Sequence, residues 1–360
     1  MSLIERKKEH VKISLEKNIN FKNKTTWLEY VHLIHMALPE ISMEEISLKR
    51  NFLGREFQLP FIIEPLTGGF PEAEVINASL AEAAEKLNIP MGVGSMRIAL
   101  ENDKFQKSFK IVREKAPNAF IIANIGIMQI IEKGIEYVKK AIEMINADAL
   151  YIHLNPLQEI IQPEGEKNFK GSLEKIIECC KYIEKPVIVK EVGCGISMEV
   201  AKILEKTGIA AIDVAGAGGT SWAAIEYYRA KEAGDKYKTI MGETFWDWGL
   251  PTAASLIEVK SVLNSNIEVI ASGGIRNGLD AAKCLGLGAS MVGFAQPLLW
   301  PATRGCEYVL EKIKIYAEEL KLALFLTNSK NINDLKDKII ISGPLKEWIN
   351  SRGIKFSVKK

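Results

Sequence analysis

A run of polar side chains directly follows a short apolar segment in the middle of the chain. The segment covers residues 149–154, and we expect it to break at Asn155-Pro156 into a loop. The polar run consists of His153, Asn155, Gln158, Glu159, Gln162, Glu164 and Glu166. Unpaired polar groups cost free energy when they are buried, so such a run favours a ligand site at the end of a parallel strand. A solvated loop with an accidental run of polar residues is the alternative, and this segment alone does not separate the two.

A lysine closes a second apolar segment. Residues 186–192 are apolar almost without interruption until Lys190 and Glu191. A lysine that points into a buried site is costly unless it faces an anion or an electron-rich ring. Lys190 therefore indicates either a Schiff-base lysine or a lysine beside a flavin, and its position in the sequence leaves both open.

Glycine-rich segments follow the last apolar segments of the chain. Two of them are Ser272-Gly273-Gly274 and Gly293-Phe294-Ala295, and a further one covers residues 216–220. Glycines let backbone N–H groups approach an anion closely, and a helix N-terminus adds a favourable dipole. Because eight-fold barrels often bind phosphate after their seventh and eighth strands, the first two segments predict a phosphate site. A need for tight turns is the alternative explanation.

The elements that would hold these residues form about eight repeats of strand, loop and helix. The strands are expected at residues 59–66, 91–93, 119–125, 149–154, 186–192, 210–214, 268–271 and 290–294. They are continuous apolar runs, which is typical of parallel strands buried on both faces. The α/β pattern predicts a (β/α)8 TIM barrel, because glycine-bearing loops follow nearly every strand and the span is close to the roughly 250 residues of such barrels. A doubly wound open sheet is the alternative.

We expect three segments along the chain. Residues 1–56 form an N-terminal arm with helices, residues 57–302 form the barrel, and residues 303–360 form a helical extension that packs on the barrel. The extension is rich in charged residues and is also suited to subunit contact.

Composition argues against several classes of partner and site. The formal net charge is +2, and no basic stripe with interleaved aromatic residues occurs, so we expect no nucleic acid. No apolar run is long enough to span a bilayer and the charged N-terminus lacks the apolar segment of a signal peptide, so we expect no membrane partner and a cytoplasmic protein. The five cysteines lack zinc-type pairs and do not suggest a disulfide framework.

Several segments together resemble type 2 isopentenyl-diphosphate isomerases, a family of FMN-dependent TIM-barrel enzymes. The matching segments are Arg6-Lys7-x-x-His10, Thr67-Gly68-Gly69, Gly92-Val93-Gly94-Ser95-x-Arg97, Ala123-Asn124-Ile125-Gly126, His153-Leu154-Asn155-Pro156-x-Gln158-Glu159, Gln162-Pro163-Glu164-Gly165, Val189-Lys190-Glu191, Gly218-Gly219-Thr220 with Trp222, Trp248-Gly249-x-Pro251-Thr252-Ala253-Ala254-Ser255, and Ser272-Gly273-Gly274-Ile275-Arg276. The fifth and sixth are specific to this family, whereas other FMN barrels share the phosphate loops.

The resemblance implies an isomerase that interconverts isopentenyl and dimethylallyl diphosphate with reduced FMN and Mg²⁺. NADPH would serve only to reduce the flavin initially, and the protein would be a homo-oligomer, a tetramer or an octamer. Gln158, beside the flavin, and Glu226 would be catalytic, and Glu159 would bind the metal. Substrate contacts are expected from Arg6, Lys7, His10, Ser95, Met96, Arg97, His153, Asn155 and Gln158. Cofactor contacts are expected from Leu66, Thr67, Gly68, Ser95, Asn124, Lys190, Thr220, Ser272, Gly273, Gly274, Phe294 and Ala295.

Three places depart from the pattern that the resemblance leads us to expect. Glu64-Pro65-Leu66 precedes the Thr-Gly-Gly segment, where the family more often has a small residue and a methionine. Met96 stands where glutamine is usual, and Ala215 stands where a serine often contacts the flavin phosphate. Backbone contacts survive all three changes, and the loss of one hydroxyl contact costs only about 1 kcal/mol.

Two other functions remain as alternatives. An FMN-barrel oxidoreductase of the hydroxy-acid oxidase kind needs a late catalytic histidine, and no histidine follows His153. One of the IMP-dehydrogenase kind needs a cysteine in a barrel loop, where Cys194 stands, although a small buried residue is the simpler interpretation. A degenerate barrel that binds a phosphorylated ligand without turnover is the second alternative.

Overall fold

The strands form one closed barrel and two small antiparallel pairs in a computed structural model, which describes residues 3–264 and 266–355. In chain order they are β1 (Val31–Leu33), β2 (Arg50–Phe52), β3 (Arg55–Phe57), β4 (Phe61–Ile63), β5 (Met91–Gly92), β6 (Ile121–Gly126), β7 (Ala149–His153), β8 (Val187–Lys190), β9 (Ala211–Asp213), β10 (Glu268–Ala271), β11 (Met291–Phe294) and β12 (Ile339–Ile341). Strands β4 to β11 run parallel, each paired with its neighbours, and β11 pairs with β4 to close the ring. The predicted (β/α)8 barrel is confirmed, and the alternative prediction of a doubly wound open sheet is wrong.

The helices surround the barrel and extend it at both ends of the chain. They are α1 (Leu3–Glu16), α2 (Pro71–Leu87), α3 (Arg97–Glu101), α4 (Lys107–Lys115), α5 (Ile127–Lys133), α6 (Ile135–Met144), α7 (Pro156–Ile161), α8 (Ser172–Tyr182), α9 (Met198–Leu204), α10 (Trp222–Glu232), α11 (Lys236–Thr244), α12 (Thr252–Lys260), α13 (Gly278–Gly286), α14 (Gln296–Arg304), α15 (Cys306–Leu326) and α16 (Gly343–Ser351). Several begin at a side-chain cap, since Ser197, Ser221 and Asn277 each accept a hydrogen bond from a backbone N–H of the first turn.

Aromatic side chains fill the amino-terminal end of the barrel. Phe52 and Phe57, from the β2–β3 hairpin, are fully buried and pack with Phe120 and with the first residues of several barrel strands. Phe57 and Phe120 meet edge to face, with ring centroids 5.8 Å apart. The hairpin therefore closes this end, which leaves the carboxyl end of the strands for a site, as is usual in such barrels.

The two ends of the chain meet outside the barrel. Strand β1 pairs with β12, and Ser342, just after β12, hydrogen-bonds His32 at 2.8 Å. The proposed segment boundaries remain a prediction, although the one at residue 302 falls inside α14 and the one at residue 56 falls inside β3. Helix α1 packs on α10 and α14, which brings the N-terminal arm to the carboxyl end of the barrel.

The polar run after β7 is partly helical. Residues 156–161 form α7, with Pro156 at the first position, where its missing N–H costs nothing. The expectation of a continuous loop from Asn155 is therefore wrong for these residues. The helix matters for the site because it turns Gln158 inward and buries it, while Asn155 is buried at its N-terminus.

Candidate active site

One cavity at the carboxyl end of the barrel collects most of the residues selected from the sequence. It is lined by Arg6, Lys7, His10, Leu66, Thr67, Ser95, Arg97, Asn124, His153, Asn155, Gln158, Glu159, Lys190, Thr220, Ser272, Gly273, Gly274 and Ala295. Helix α1 supplies the first three, and the other residues follow barrel strands. The fold thus brings together side chains that are up to 289 residues apart in sequence, from Arg6 to Ala295.

Four of the selected residues lie behind this wall. Met96 is fully buried, and its N–H donates to the Asn124 carbonyl. Phe294 packs against Tyr316, and Gly68 lies against the Phe109 ring so closely that a Cβ would overlap it. The fourth, Glu226, stands behind Gln158. Met96 and Phe294 therefore do not line the cavity, and both are packing residues.

Gln158 belongs to a chain of hydrogen bonds that leads out of the cavity. Its Nε2 donates to Glu226 Oε1 at 3.4 Å, and its Oε1 accepts from Asn155 at 3.1 Å. His10 Nε2 lies 3.0 Å from the same Glu226 oxygen. The amide of Gln158 is thus held in one orientation by a carboxylate on one side and an amide on the other.

Glu226 is fully buried and ionised. Burial on its own would raise the pKa of this carboxyl, but His10 and Arg229 outweigh burial and leave the pKa lowered. Arg229 donates to Glu226 at 2.6 Å, to Glu164 at 2.7 Å and to Glu9 at 3.0 Å. One guanidinium therefore joins α1, the segment after α7, and α10 beneath the cavity.

Two basic residues of α1, Arg6 and Lys7, form a part of the cavity that could bind an anion. The ammonium of Lys7 donates to the Ser95 carbonyl at 2.7 Å, and burial together with the neighbouring Arg6 lowers the pKa of Lys7 to about 7. Among the described residues, nothing accepts a hydrogen bond from Arg6 Nε, although this atom is buried. An unpaired buried N–H of a cation is costly, so an anion bound here would satisfy it and favour charged Lys7.

His153 is neutral in the ligand-free cavity. Its Nδ1 lies 2.8 Å from Asn124 Oδ1, and because Asn124 Nδ2 already donates to the Val93 carbonyl, Nδ1 carries the hydrogen. Burial, and then Lys190 and Lys7, lower the pKa of His153 to about 3. Nε2 is consequently a hydrogen-bond acceptor, so His153 is not a preformed cation for a diphosphate.

Glu159 is the residue that could hold a divalent cation. Its Oε1 accepts from Asn155 at 3.1 Å and its Oε2 accepts from the Glu166 N–H at 2.9 Å. Within residues 3–264 and 266–355 there is no group of three or more His, Cys, Asp and Glu side chains that could bind a metal. A Mg²⁺ ion at Glu159 would therefore take one carboxylate from the protein and would need its other ligands from phosphate and water.

Lys190 lies in the floor of the cavity between two carboxylates. Its ammonium is 3.2 Å from Asp213 Oδ2 and 3.7 Å from Glu64 Oε2. Tyr151 donates to Glu64 Oε1 at 3.2 Å, and Ser272 donates to Asp213 Oδ1 at 2.6 Å. The protein itself thus supplies the anion expected opposite Lys190, through the carboxyl groups of Asp213 and Glu64. Glu64 is also one of the residues that depart from the pattern expected for the family.

The glycine-rich segments after β9 and β10 pack directly on one another. Gly273 has a φ of +98°, and a Cβ there would lie 2.2 Å from the Gly216 carbonyl oxygen. Arg276 also lines the cavity, and its guanidinium donates to Gln296 and to Asn20. A glycine backbone wall with one arginine fits the phosphate of a nucleotide cofactor, and Lys190 fits its ring system.

Asp213, Tyr151 and Arg229 belong to the site but were not selected from the sequence. Asp213 gave the same signal as Lys190, since it also ends an apolar strand, and the two residues are paired across β8 and β9. Tyr151 reads as an ordinary strand residue. Arg229 gave no signal, because its three partners lie 3, 65 and 220 residues away in sequence.

Sequence comparisons place this site in a known group of enzymes. The chain is 47% identical over 355 residues to the isopentenyl-diphosphate delta-isomerase of Methanosarcina mazei, which covers 98% of this chain and 96% of the relative. It is 48% identical to the enzyme of the same name from Archaeoglobus fulgidus over 354 residues, 98% of this chain and 100% of the relative. The chain belongs to the isopentenyl-diphosphate delta-isomerase family. The resemblance in the sequence motifs is therefore confirmed, and the chain is an enzyme of this family.

Residues 155–342 match the family of FMN-dependent dehydrogenases, which supports FMN as the cofactor. Solved structures with the same fold include a lactate oxidase of Pediococcus acidilactici, with a TM-score of 0.66 and 17% identity over 90% of this chain and 88% of that one. A flavocytochrome b2 mutant with sulfite bound has a TM-score of 0.69 and is 16% identical over 94% of this chain and 84% of that one. At this identity they show the barrel alone. Across the described part of the chain, no helix is both long and apolar enough to cross a membrane.

Proposed function

We propose that the protein interconverts isopentenyl and dimethylallyl diphosphate with reduced FMN and Mg²⁺. The observation that carries the proposal is the arrangement of three unlike groups around one cavity. Arg6 and Lys7 lie at one end, Lys190 and the glycine wall line another part, and the oriented amide of Gln158 lies with them. The family to which the chain belongs supports the same reaction.

The diphosphate is proposed to bind beneath α1. Arg6 has the unsatisfied buried N–H, and Lys7 gains a full charge when an anion binds beside it. Arg97 also lines the cavity and is held by Glu101 at 2.9 Å. Glu159 would hold a Mg²⁺ ion, which would help to neutralise the charge of the diphosphate, because a hard cation with one protein carboxylate suits such a ligand.

The hydrocarbon end of the substrate is proposed to lie near Gln158, with Trp222 and Ile225 in the apolar wall. Moving the double bond requires a proton to be added at one carbon and removed from another. A side-chain amide is neither an effective acid nor an effective base at ordinary pH, so Gln158 orients the substrate. Glu226 Oε1 lies between Gln158 and His10. Glu226 and His10 are proposed to hold and relay a proton at the edge of the site.

Thr67, Asn124, Lys190, Thr220, Ala295 and residues 272–274 are proposed to hold FMN. When bound in its reduced state, FMN supplies the acid–base chemistry that the hydrocarbon and the amide lack. NADPH is proposed only as the reductant that first reduces the flavin. These residues exclude water from the floor of the barrel, because the strand ends beneath them are buried.

A homo-oligomer, a tetramer or an octamer, is proposed for the assembled enzyme. Helix α15 exposes Tyr308, Ile315 and Leu322 at seven-residue intervals. Apolar residues at this spacing form one stripe along a helix, which is suited to a helix–helix interface between copies. Light scattering on the purified protein measures the number of copies.

The oxidoreductase alternatives have less support. The last histidine of the sequence, His153, is neutral in the cavity and bonded to Asn124. Burial raises the pKa of the Cys194 thiol, so this cysteine is a poor nucleophile.

An anaerobic assay tests the proposal. The purified protein is expected to show a flavin absorbance spectrum, and isopentenyl diphosphate should be converted only after the flavin is reduced, with no net consumption of NADPH per product. Product formed with stoichiometric loss of NADPH or O₂ would contradict an isomerase. Flavin binding without any product would favour the barrel that binds a ligand without turnover.

A further inference from the structure

Three charged side chains meet in the floor of the cavity, and their charges do not balance. Glu64 follows β4, Lys190 ends β8, and Asp213 ends β9, and all three are buried. If all were ionised, two carboxylates would face one ammonium in a region of low dielectric constant. Such an arrangement is costly, and buried carboxylates that share a site usually retain one proton.

The hydrogen bonds locate that proton. Within the described part of the chain, Glu64 Oε2 and Asp213 Oδ2 have no hydrogen-bond donor of good geometry, although both are buried. Lys190 donates to the Glu191 carbonyl at 2.7 Å, and its ammonium lies 3.7 Å from Glu64 Oε2, which is too far for a hydrogen bond. Glu64 Oε2 and Asp213 Oδ2 both face this ammonium, and a single proton shared by the two carboxyls would satisfy both oxygens.

The fold leaves space for the Glu64 carboxyl. Gly293 on the neighbouring strand β11 lies opposite β4, and a Cβ at this glycine would be 2.4 Å from Glu64 Oε1. Tyr151 also donates to that oxygen. The site for this carboxyl is therefore shaped by the neighbouring strand β11 and by Tyr151 of β7, as well as by the charges.

We propose that Glu64 is a protonated carboxylic acid at neutral pH, that it donates its hydrogen bond to Asp213, and that it thereby sets the charge with which Lys190 faces FMN. Asp213 remains the anion because it is closer to Lys190 and accepts from Ser272 and from the Ala215 N–H. Burial, followed by the Asp213 carboxylate, raises the pKa of Glu64 well above its ordinary value, which agrees with this assignment.

The consequence for the cofactor rests on the proposed function. With Glu64 neutral, Lys190 and Asp213 cancel, so the floor carries no net charge. An ionised Glu64 would add a negative charge next to a reduced cofactor and would weaken its binding relative to the oxidised one. Glu64 is thus a positioning residue that favours the reduced state. The charged and titratable groups around it are Asp213, Lys190 and Tyr151, with Glu191 and His153 beyond Lys190.

Infrared spectroscopy of the full chain without cofactor tests the proton directly. At pH 8 the wild-type protein should show the C=O stretching band of a buried carboxylic acid, and Glu64→Gln should lack it. The measurement is made at pH 8 because burial raises the pKa of Glu191 to about 7 and this second acid is then mostly ionised. The matched control is Glu258→Gln, because Glu258 is equally buried but paired with Arg352 at 3.0 Å, and it should keep the band.

The reduction potential of bound FMN tests the consequence. Glutamine is isosteric with a protonated glutamate, so Glu64→Gln should leave the potential unchanged at neutral pH. Lys190→Met should weaken the binding of reduced FMN about tenfold relative to the binding of oxidised FMN. This change lowers the reduction potential of bound FMN by about 30 mV for a two-electron couple. A tenfold change in Glu64→Gln would show that the wild-type residue is ionised and would refute the proposal.

The other outcomes are equally decisive. Absence of the band in the wild type would overturn the shared proton. A wild-type band without any FMN binding would support the shared proton and refute the proposed cofactor. If Glu64→Gln does not fold, ¹³C-labelling of glutamate in the unmodified chain separates the acid band from that of the aspartates, and a missing labelled band at pH 8 would again overturn the proposal.

Discussion

Replacing Arg229 with methionine should destabilise the protein by about 3–5 kcal/mol. The Arg229 side chain is 3% exposed and pairs with Glu226, which is fully buried. Removing the guanidinium leaves the buried Glu226 carboxylate without this cation, and an uncompensated buried charge accounts for most of that cost. The pairs with Glu9 and Glu164 are more exposed, so each adds less than about 1 kcal/mol.

The free energy of unfolding should be measured by urea denaturation, with circular dichroism and tryptophan fluorescence followed together. The matched control is Lys49→Met, because the Lys49–Glu56 pair is 52% and 55% exposed, and its loss should cost less than about 1 kcal/mol. The double variant Arg229→Met/Glu226→Gln should recover much of the loss, since it removes the buried charge. If Arg229→Met is no more destabilising than Lys49→Met, the reasoning about Glu226 is wrong.

Three further results are expected. Glu159→Gln should weaken Mg²⁺-dependent substrate binding in calorimetry while leaving FMN bound, and loss of the flavin instead would refute the metal assignment. Gly273→Ala should release FMN on gel filtration, because its φ of +98° is strained for alanine by about 1–3 kcal/mol and its Cβ would meet the Gly216 carbonyl. The pKa of Glu64 is raised in the folded state. The free energy of unfolding of the wild type therefore falls as the pH rises from the ordinary pKa of a glutamate toward the raised one. Glu64→Gln should therefore gain melting temperature relative to wild type between pH 5 and pH 8, and a constant difference would contradict the raised pKa.

The barrel could be predicted because its strands carry the signal locally. Each is a short apolar run followed by glycine or polar residues, and burial on both faces requires that pattern. Helix α7 was missed because Asn155-Pro156 starts a turn and a helix equally well. Tertiary packing decides between a turn and a helix here, because it buries Gln158 against Glu226 of α10.

The cavity could be predicted from motifs, but its charge balance could not. Lys190 predicted an anion opposite it, and Asp213 meets Lys190 where β8 pairs with β9. Glu64, however, follows β4, which faces Lys190 only when the barrel closes. In the sequence, Glu64 is recognisable only as a departure from the pattern that the family has before the Thr-Gly-Gly segment. Its partners are set by the three-dimensional ring, as are those of Arg229, so neither residue's role follows from spacing along the chain.

The closing pair of the barrel joins residues that are synthesised far apart in time. Strand β4 bonds to β11 through Phe61 and Val292, so the first barrel strand waits for the last one to leave the ribosome. Until then its apolar edge, Phe61–Ile63, is free to pair with another nascent chain. The brevity of β4 limits that hazard. Aggregation during translation should accordingly be sensitive to pauses that occur before β11 has left the ribosome and insensitive to pauses after it has left.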